Sequence, residues 1–276
     1  MQTVVITGGT DGLGKGLALH YLRQGARVIA VGSTAEKGQA LLAEAEALPS
    51  GRAGFVRADL TSVAATRDLV KRLTEDHPVV DKLILCAQRY RLLGGRVTTG
   101  EGFEHSFALA YLSRFMLSHG LHDALRAARR PVIMNVSTPG VPLGRIHWDD
   151  LQLTRSYSGT RATLQSFRAN DLLGVAFGVL HAGSGVSYIG YNPGVVSTGM
   201  PASLPQPLRA ATKAFFTLFA TSVPRATAPM TALLDDPPAE PFTAHWQKRR
   251  LPLTGRAFDR HDAQRLHDIT RELIAR

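Results

Sequence analysis

The sequence predicts an α/β fold, a doubly wound parallel sheet covered by helices on both faces. Two observations carry this reading. Short apolar or β-branched runs alternate with longer stretches at helical spacing, and a glycine-rich turn joins the first run to the first helix. Val4–Thr7 reads as a strand, Leu13–Arg23 as a helix, Ala26–Val31 as a second strand, and Glu36–Ala47 as a helix that stops at Pro49-Ser50-Gly51. Gly54–Arg57 is a third strand, Ser62–Thr74 a helix, and Lys82–Cys86 a fourth strand. A helix over about 103–128 precedes the strand Pro131–Val136. The helix Ala162–Leu180 then leads to the strand Val186–Tyr191, which ends at Pro193-Gly194. Beyond Gly199 the pattern loosens into proline-rich segments and an apolar helix near 208–222, the place for a C-terminal substrate lid. With no repeat and no linker, 1–276 reads as a single domain, with a core over 1–198 and lid and C-terminal elements over 199–276.

Composition narrows the function. A chain of 276 residues can bury one substantial core, and 44% apolar with 20% charged residues is an ordinary globular balance. The single cysteine, Cys86, excludes an internal disulfide framework and suits a reducing cytoplasm, the expected location. No apolar run reaches the roughly 18 residues that a membrane span needs. MQTVVITGG goes straight into the first strand and its turn, leaving no room for a signal peptide. The net charge of +10 is spread along the chain in an arginine-rich set of basic residues, with no stripe or tail of the kind that binds nucleic acid. Such a surface is either simply solvated or attracts anionic ligands, such as a dinucleotide or an acidic carrier.

Thr7–Gly14 reads TGGTDGLG. Glycines at Gly8, Gly12 and Gly14 let the backbone turn tightly and approach a pyrophosphate, while the following helix N-terminus presents amide donors. Thr7 and Leu13 lie in the same turn. The position between the first strand and the first helix is the one that a Rossmann-type dinucleotide site requires.

The spacing TGxxxGxG resembles the short-chain dehydrogenase/reductase superfamily. Other landmarks follow in order. Asp59-Leu60 stands where the family has its adenine-contacting Asp-Leu, Leu85-Cys86-Ala87-Gln88 stands for Asn-Asn-Ala-Gly, and Pro193-Gly194-Val195-Val196-Ser197-Thr198 matches the segment closing over the nicotinamide. GRIHWDDLQ (144–152) and EGFEHSFALAYLSRFML (101–117) are similar to the retinol-dehydrogenase-like branch. The resemblance implies a nicotinamide cofactor held by Thr7, Gly8, Gly12, Leu13, Gly14, Asp59, Leu60, Cys86, Ala87, Pro193, Gly194 and Thr198, and no metal. An NAD site usually places a carboxylate after the second strand. Here Val31-Gly32-Ser33-Thr34 has none, and Ser33 with the nearby Lys37 favours NADP(H) over NAD(H).

The family's chemistry uses an Asn, Ser, Tyr and Lys tetrad, in which the tyrosine exchanges a proton with the substrate oxygen under the influence of the lysine's charge. In register with the branch, ATLQSFRAN places Thr163 at the tyrosine and Phe167 at the lysine, FALAYLSRF places Ala110 at the asparagine, and Thr138 keeps only the hydroxyl of the serine. Three groups that serve one proton relay are thus absent together. Tyr157 and Arg161 lie nearby, but six residues separate Tyr157 from Thr163, about 240° and 9 Å on a continuous helix. Gly159 favours a loop there. Tyr157 is either a loop tyrosine at the pocket rim or a repositioned acid. Tyr90, Tyr111, His147 and Tyr191 fall on segments that the family places near the cleft, with packing as their expected role.

Three functions fit. One is a reductase of an already activated, hydrophobic small molecule that needs no tyrosine. Another is a non-redox cyclase, isomerase or dehydratase that uses the cleft for shape and proximity. The third is a catalytically silent nucleotide-binding protein. Charge suggests an anionic carrier on the substrate, and the arginine- and alanine-rich usage fits a GC-rich bacterial source and specialised metabolism. Relatives that pair through their long helices imply a homodimer or homotetramer.

Overall fold

The computed structural model describes residues 1–48, 52–196 and 221–275. Its strands are β1 (Thr3–Thr7), β2 (Arg27–Gly32), β3 (Arg52–Arg57), β4 (Lys82–Leu85), β5 (Val132–Val136), β6 (Ser187–Asn192), β7 (Phe242–Trp246) and β8 (Arg249–Leu251). They form one sheet in the order β3-β2-β1-β4-β5-β6-β7-β8. Every pairing is parallel except β7 with β8. The chain reverses its winding between β1 and β4, where Val5 pairs with Leu83. A crevice therefore opens at the carboxyl ends of these two strands.

Side-chain alternation explains why strands buried on both faces are apolar throughout. Val5, Ile29, Leu83 and Ile133 join one core cluster, while Val4, Ile6, Val28, Ile84 and Met134 join the other. The helices α1 (Gly12–Arg23) and α2 (Ala35–Glu46) cover the second face, and α3 (Val63–Asp76) covers the first.

The single helix expected over 103–128 is divided. A short turn α4 (His105–Phe107) runs into a π-helical turn, Ala108–Leu112, then α5 (Ser113–Gly120) and α6 (His122–Arg126). Such π turns re-aim a helix face, often at a functional site, and this one contains Ala110. The long helix α7 (Gly159–Leu180) begins at Gly159, with the Ser158 hydroxyl accepting from the Arg161 N–H. The expectation that Gly159 belongs to a loop is thus corrected: Ser158 caps the helix and Gly159 opens its first turn.

The C-terminal part also differs from expectation. Beyond α8 (Val223–Asp235), β7 and β8 extend the sheet, and α9 (Arg260–Ile274) lies along α7. Ala263 and Leu266 of α9 are buried in the first core cluster. These elements complete the fold, whereas the apolar segment expected as a lid falls almost wholly outside the described residues. No described helix is long and apolar enough to cross a membrane.

Candidate active site

The glycine turn is held close against β4. Gly8 adopts φ +66°, and a Cβ there would lie 2.9 Å from the Ala87 nitrogen. A Cβ on Gly14 would fall 2.2 Å from the Gly8 carbonyl oxygen. Only glycine suits either position. Beneath the turn, the Thr7 hydroxyl accepts from the Ala87 N–H at 3.3 Å, tying the ends of β1 and β4 together. The Asp11 carboxylate accepts from the Gly12 N–H at 2.8 Å and caps α1.

A cavity of about 890 Å³ opens above this crevice. Of the expected cofactor residues, Gly8, Ser33, Asp59, Leu60 and Ala87 line it. Thr7 and Gly14 support the turn from behind, while Leu13 and Cys86 pack against the core and do not face the cavity. Burial pushes the Cys86 thiol up to about 12, which leaves it unreactive. Pro193 and Gly194 follow β6, where the Gly194 N–H donates to the Asn192 side chain, and they do not line this cavity. Thr198 lies outside the described residues. Lys37 and Arg57 both line the cavity beside Ser33, and Arg57 donates to the Ser33 carbonyl at 3.3 Å. Lys37 pairs with Asp11, which holds the Asp11 carboxyl below its usual range. Arg57 escaped the sequence reading because it stands at the end of β3, far from the strand whose terminus it flanks. Glycine cradle, cavity and cations together fit a dinucleotide.

Two of the four positions in register with the family's tetrad, Ala110 and Phe167, line a second, enclosed space too narrow for water, while Thr138 and Thr163 do not. Gln88, Tyr90, Ala110, Arg114, Val136, Ser137, Ser166, Phe167 and Asn170 surround it. Ala110 and Phe167 thus line one space. Thr163 sits one turn earlier on α7, buried, and is not part of this lining. Tyr157 lies just before α7 and is not part of it either. Its hydroxyl has no partner among the described residues, and the charges that face it are Glu104, Arg91 and Arg96. Arg161 instead donates to the Ser156 carbonyl at 2.7 Å. Tyr157 and Arg161 thus form no pair with each other.

Two residues the sequence reading undervalued occupy the site. Tyr90 packs its ring against Phe167, edge to face, at 6.0 Å between centroids. Arg114 lines the same space and faces the Tyr90 phenol as a positive charge. Burial raises the Tyr90 phenol while Arg114 and Thr138 pull it back. Arg114 is 2% exposed. It donates to Asn135 Oδ1 at 2.5 Å, the Val136 carbonyl at 2.8 Å and the Ala87 carbonyl at 3.0 Å. Its Nε has no partner among the described residues, and the ionisable groups facing it are Tyr188, Tyr90 and Cys86, none a carboxylate. Burial lowers its pKa, yet a guanidinium stays charged at neutral pH.

A polar network extends behind Arg114. Asn135 donates to Asn170 Oδ1 and to the Tyr188 hydroxyl, both at 2.8 Å, and Asn170 donates to the Ala110 carbonyl at 2.7 Å. The other tyrosines stand apart from this site. Tyr111 bonds Thr270 at 2.7 Å, and Tyr191 is buried in β6. His147 and Arg161 line a separate cavity of about 1020 Å³ together with Arg145, Arg168 and Arg256.

The short chain dehydrogenase family matches residues 2–209. Human retinol dehydrogenase 13 is 32% identical over 199 residues, 71% of this chain and 60% of that protein. A Streptomyces protein provisionally named a daunorubicin C-13 ketoreductase is 31% identical over 198 residues, 71% of this chain and 67% of its own. Zebrafish polyprenol dehydrogenase is 31% identical over 229 residues, 78% of this chain and 68% of that protein. Thus the chain spans about three fifths to two thirds of the length of these relatives. Among solved structures, a citronellol catabolism dehydrogenase from Pseudomonas aeruginosa superposes with a TM-score of 0.63 at 17% identity, covering 89% of this chain and 92% of its own. With its glycine turn, its sheet order and these matches, the chain belongs to the short-chain dehydrogenase/reductase superfamily, on the retinol-dehydrogenase-like branch.

Proposed function

We propose that this protein is an NADP(H)-dependent reductase of an activated, hydrophobic small molecule, working without the family's Tyr, Lys and Asn. The observation that carries the reading is the pair Lys37 and Arg57 beside Ser33, at the end of a strand that offers no acid. A ribose 2′-phosphate would bond Arg57 and draw Lys37 from Asp11, whereas the end of β2 itself offers an NAD ribose no carboxylate. Bound in this cleft, a reduced nicotinamide would supply the hydride.

The chain's own residues do the rest. Gly8 and Gly14 admit the pyrophosphate, and the α1 N-terminus favours its charge. Thr138 offers the acceptor oxygen a hydroxyl. Relatives named for retinol, polyprenol and daunorubicin support an apolar substrate, and the arginines of the larger cavity support an anionic handle on it.

Fluorescence titration tests the reading. NADPH should bind at least about tenfold more tightly than NADH, a preference that Arg57→Ala removes, since a charge-assisted pair contributes about 1.5–3 kcal/mol. Equal affinity for both dinucleotides, or none for either, would sink it. One observation favours a non-redox alternative: Phe167 gives the nicotinamide ribose no cation. Product formed with NADPH left unoxidised would select that alternative.

A further inference from the structure

We propose that Tyr90 is the proton donor of this site, its conjugate base stabilised by the buried Arg114 that lines the same space. The inference rests on the reductase reading and adds the acid that the reading lacks. A phenol, an aliphatic hydroxyl and a cation are the three groups a carbonyl reduction needs around the oxygen. The family supplies phenol and cation from α7. Here α7 presents Thr163 and Phe167, and the phenol comes from the loop after β4 while the cation comes from α5.

Three observations fix this arrangement. Tyr90 is 37% exposed, with its ring against the edge of Phe167 and its side chain lining the same enclosed space as Arg114. Arg114 is a buried cation without a counter-ion among the described residues, a costly arrangement unless a negative charge develops beside it. Its Nε remains unbonded while both Nη atoms are held by Asn135, Val136 and Ala87, so the guanidinium cannot turn away.

The step balances. Hydride arrival at the acceptor carbon forms a C–H bond and moves the C=O π pair onto oxygen. Tyr90 Oη gives that oxygen its proton, leaving a phenolate that Arg114 stabilises. Water returns the proton to the phenolate. The acceptor is reduced and the dinucleotide oxidised. Tyr90 is the catalytic residue in this scheme, and Arg114 is a positioning residue that acts through it.

The test reads the phenol itself as well as turnover. In protein with 13C-labelled tyrosine rings and NADP+ present, the resonance lost in Tyr90→Phe identifies Tyr90, and its titration midpoint is followed by NMR. Arg114→Met should raise that midpoint by about one pH unit or more, and Arg114→Lys should largely restore it. Thr138→Val should raise it too, and serves should Arg114→Met fail to fold. With NADPH and 9,10-phenanthrenequinone as the probe pair, Tyr90→Phe should lower kcat by about 10²–10⁴ with NADPH affinity unchanged. Wild-type turnover in Tyr90→Phe, or a Tyr90 midpoint indifferent to Arg114 and Thr138, overturns the inference while leaving the reductase reading intact. Failure of the wild type to bind NADPH overturns both.

Discussion

The carbonyl of Arg91 passes over the first turn of α7 so closely that a Cβ on Gly159 would lie 1.8 Å from its oxygen. Gly159 is therefore the seat on which the loop carrying Tyr90 rests. Gly159→Ala should push the Arg91-Leu92 backbone outward, cost about 1–3 kcal/mol by overpacking, and separate Tyr90 from Phe167. Urea denaturation measures the first effect. The second should bring the Tyr90 titration midpoint toward about 10, the value of a solvated phenol. A stabilised variant with an unmoved Tyr90 would contradict this packing.

Stability should depend on pH through a histidine cluster. His119 Nδ1 and His181 Nε2 lie 3.0 Å apart, His122 stacks on His181 at 3.9 Å, and His267 of α9 meets His119 at 5.0 Å. Burial, then the neighbouring histidines, lowers His119 to about 3 and His181 to about 4, and burial lowers His267. Arg271 also disfavours charge on His119, while Asp123 and Asp268 favour it on His181 and His267. Folded-state values below the ordinary 6.5 mean that the unfolded chain binds more protons in acid. This contribution is complete above pH 6.5 and is lost as pH falls from there toward 3. Between pH 7 and pH 5 the cluster's contribution to the unfolding free energy should drop by about 2 kcal/mol, read as the difference between wild type and a His119→Gln/His181→Gln variant.

Asp171 should act with the opposite sign. Its carboxylate is 2% exposed and accepts from the Gly140 N–H at 3.1 Å, and burial raises it to about 8 despite that bond and the charge of Arg168. The folded chain holds a proton that the unfolded chain releases near pH 4. Stability from this group is thus full in acid and lost as pH rises to about 8. Asp171→Asn keeps the acceptor without the charge, and at pH 8 should be more stable than wild type by about 1–3 kcal/mol. Thermal melts at pH 5 and pH 8 check it, with a difference that grows toward pH 8.

The covering of α7 by α9 bears on assembly. Leu266 is 1% exposed within the first core cluster. Leu266→Glu should lift α9, lower stability by about 3 kcal/mol or more, and expose apolar surface that light scattering detects as self-association. The intact chain should not pair through the α7 face that α9 occupies. A cross-linked dimer joined at that face would refute this.

Strands β1, β2, β4, β5 and β6 were legible because each is a short, largely apolar run bounded by turns and buried within the sheet, and the partly exposed edge strand β3 was marked by its place between two helices. The glycine turn was legible because Gly8 and Gly14 answer to steric limits that leave no substitute. Strand β7 was not, since Phe242–Trp246 is short, follows Pro237, Pro238 and Pro241, and mixes Thr and His into its inward face. Ala110 and Phe167 could be singled out by register with the family, because flanking residues fix their place. Tyr90 and Arg114 could not. Tyr90 sits in a loop without period, and Arg114 on a helix looks solvated until Asn135, Val136 and Ala87 are seen to hold it. Partnerships between distant segments leave no mark in local spacing.

Arg114 also limits what residue 167 can become. It shares one enclosed space with Phe167, so Phe167→Lys would place two cations where no carboxylate balances either. A lysine introduced alone would lose its proton or disturb the fold, whatever tyrosine was introduced beside it. Any variant that adds a cation at position 167 therefore has to begin at residue 114.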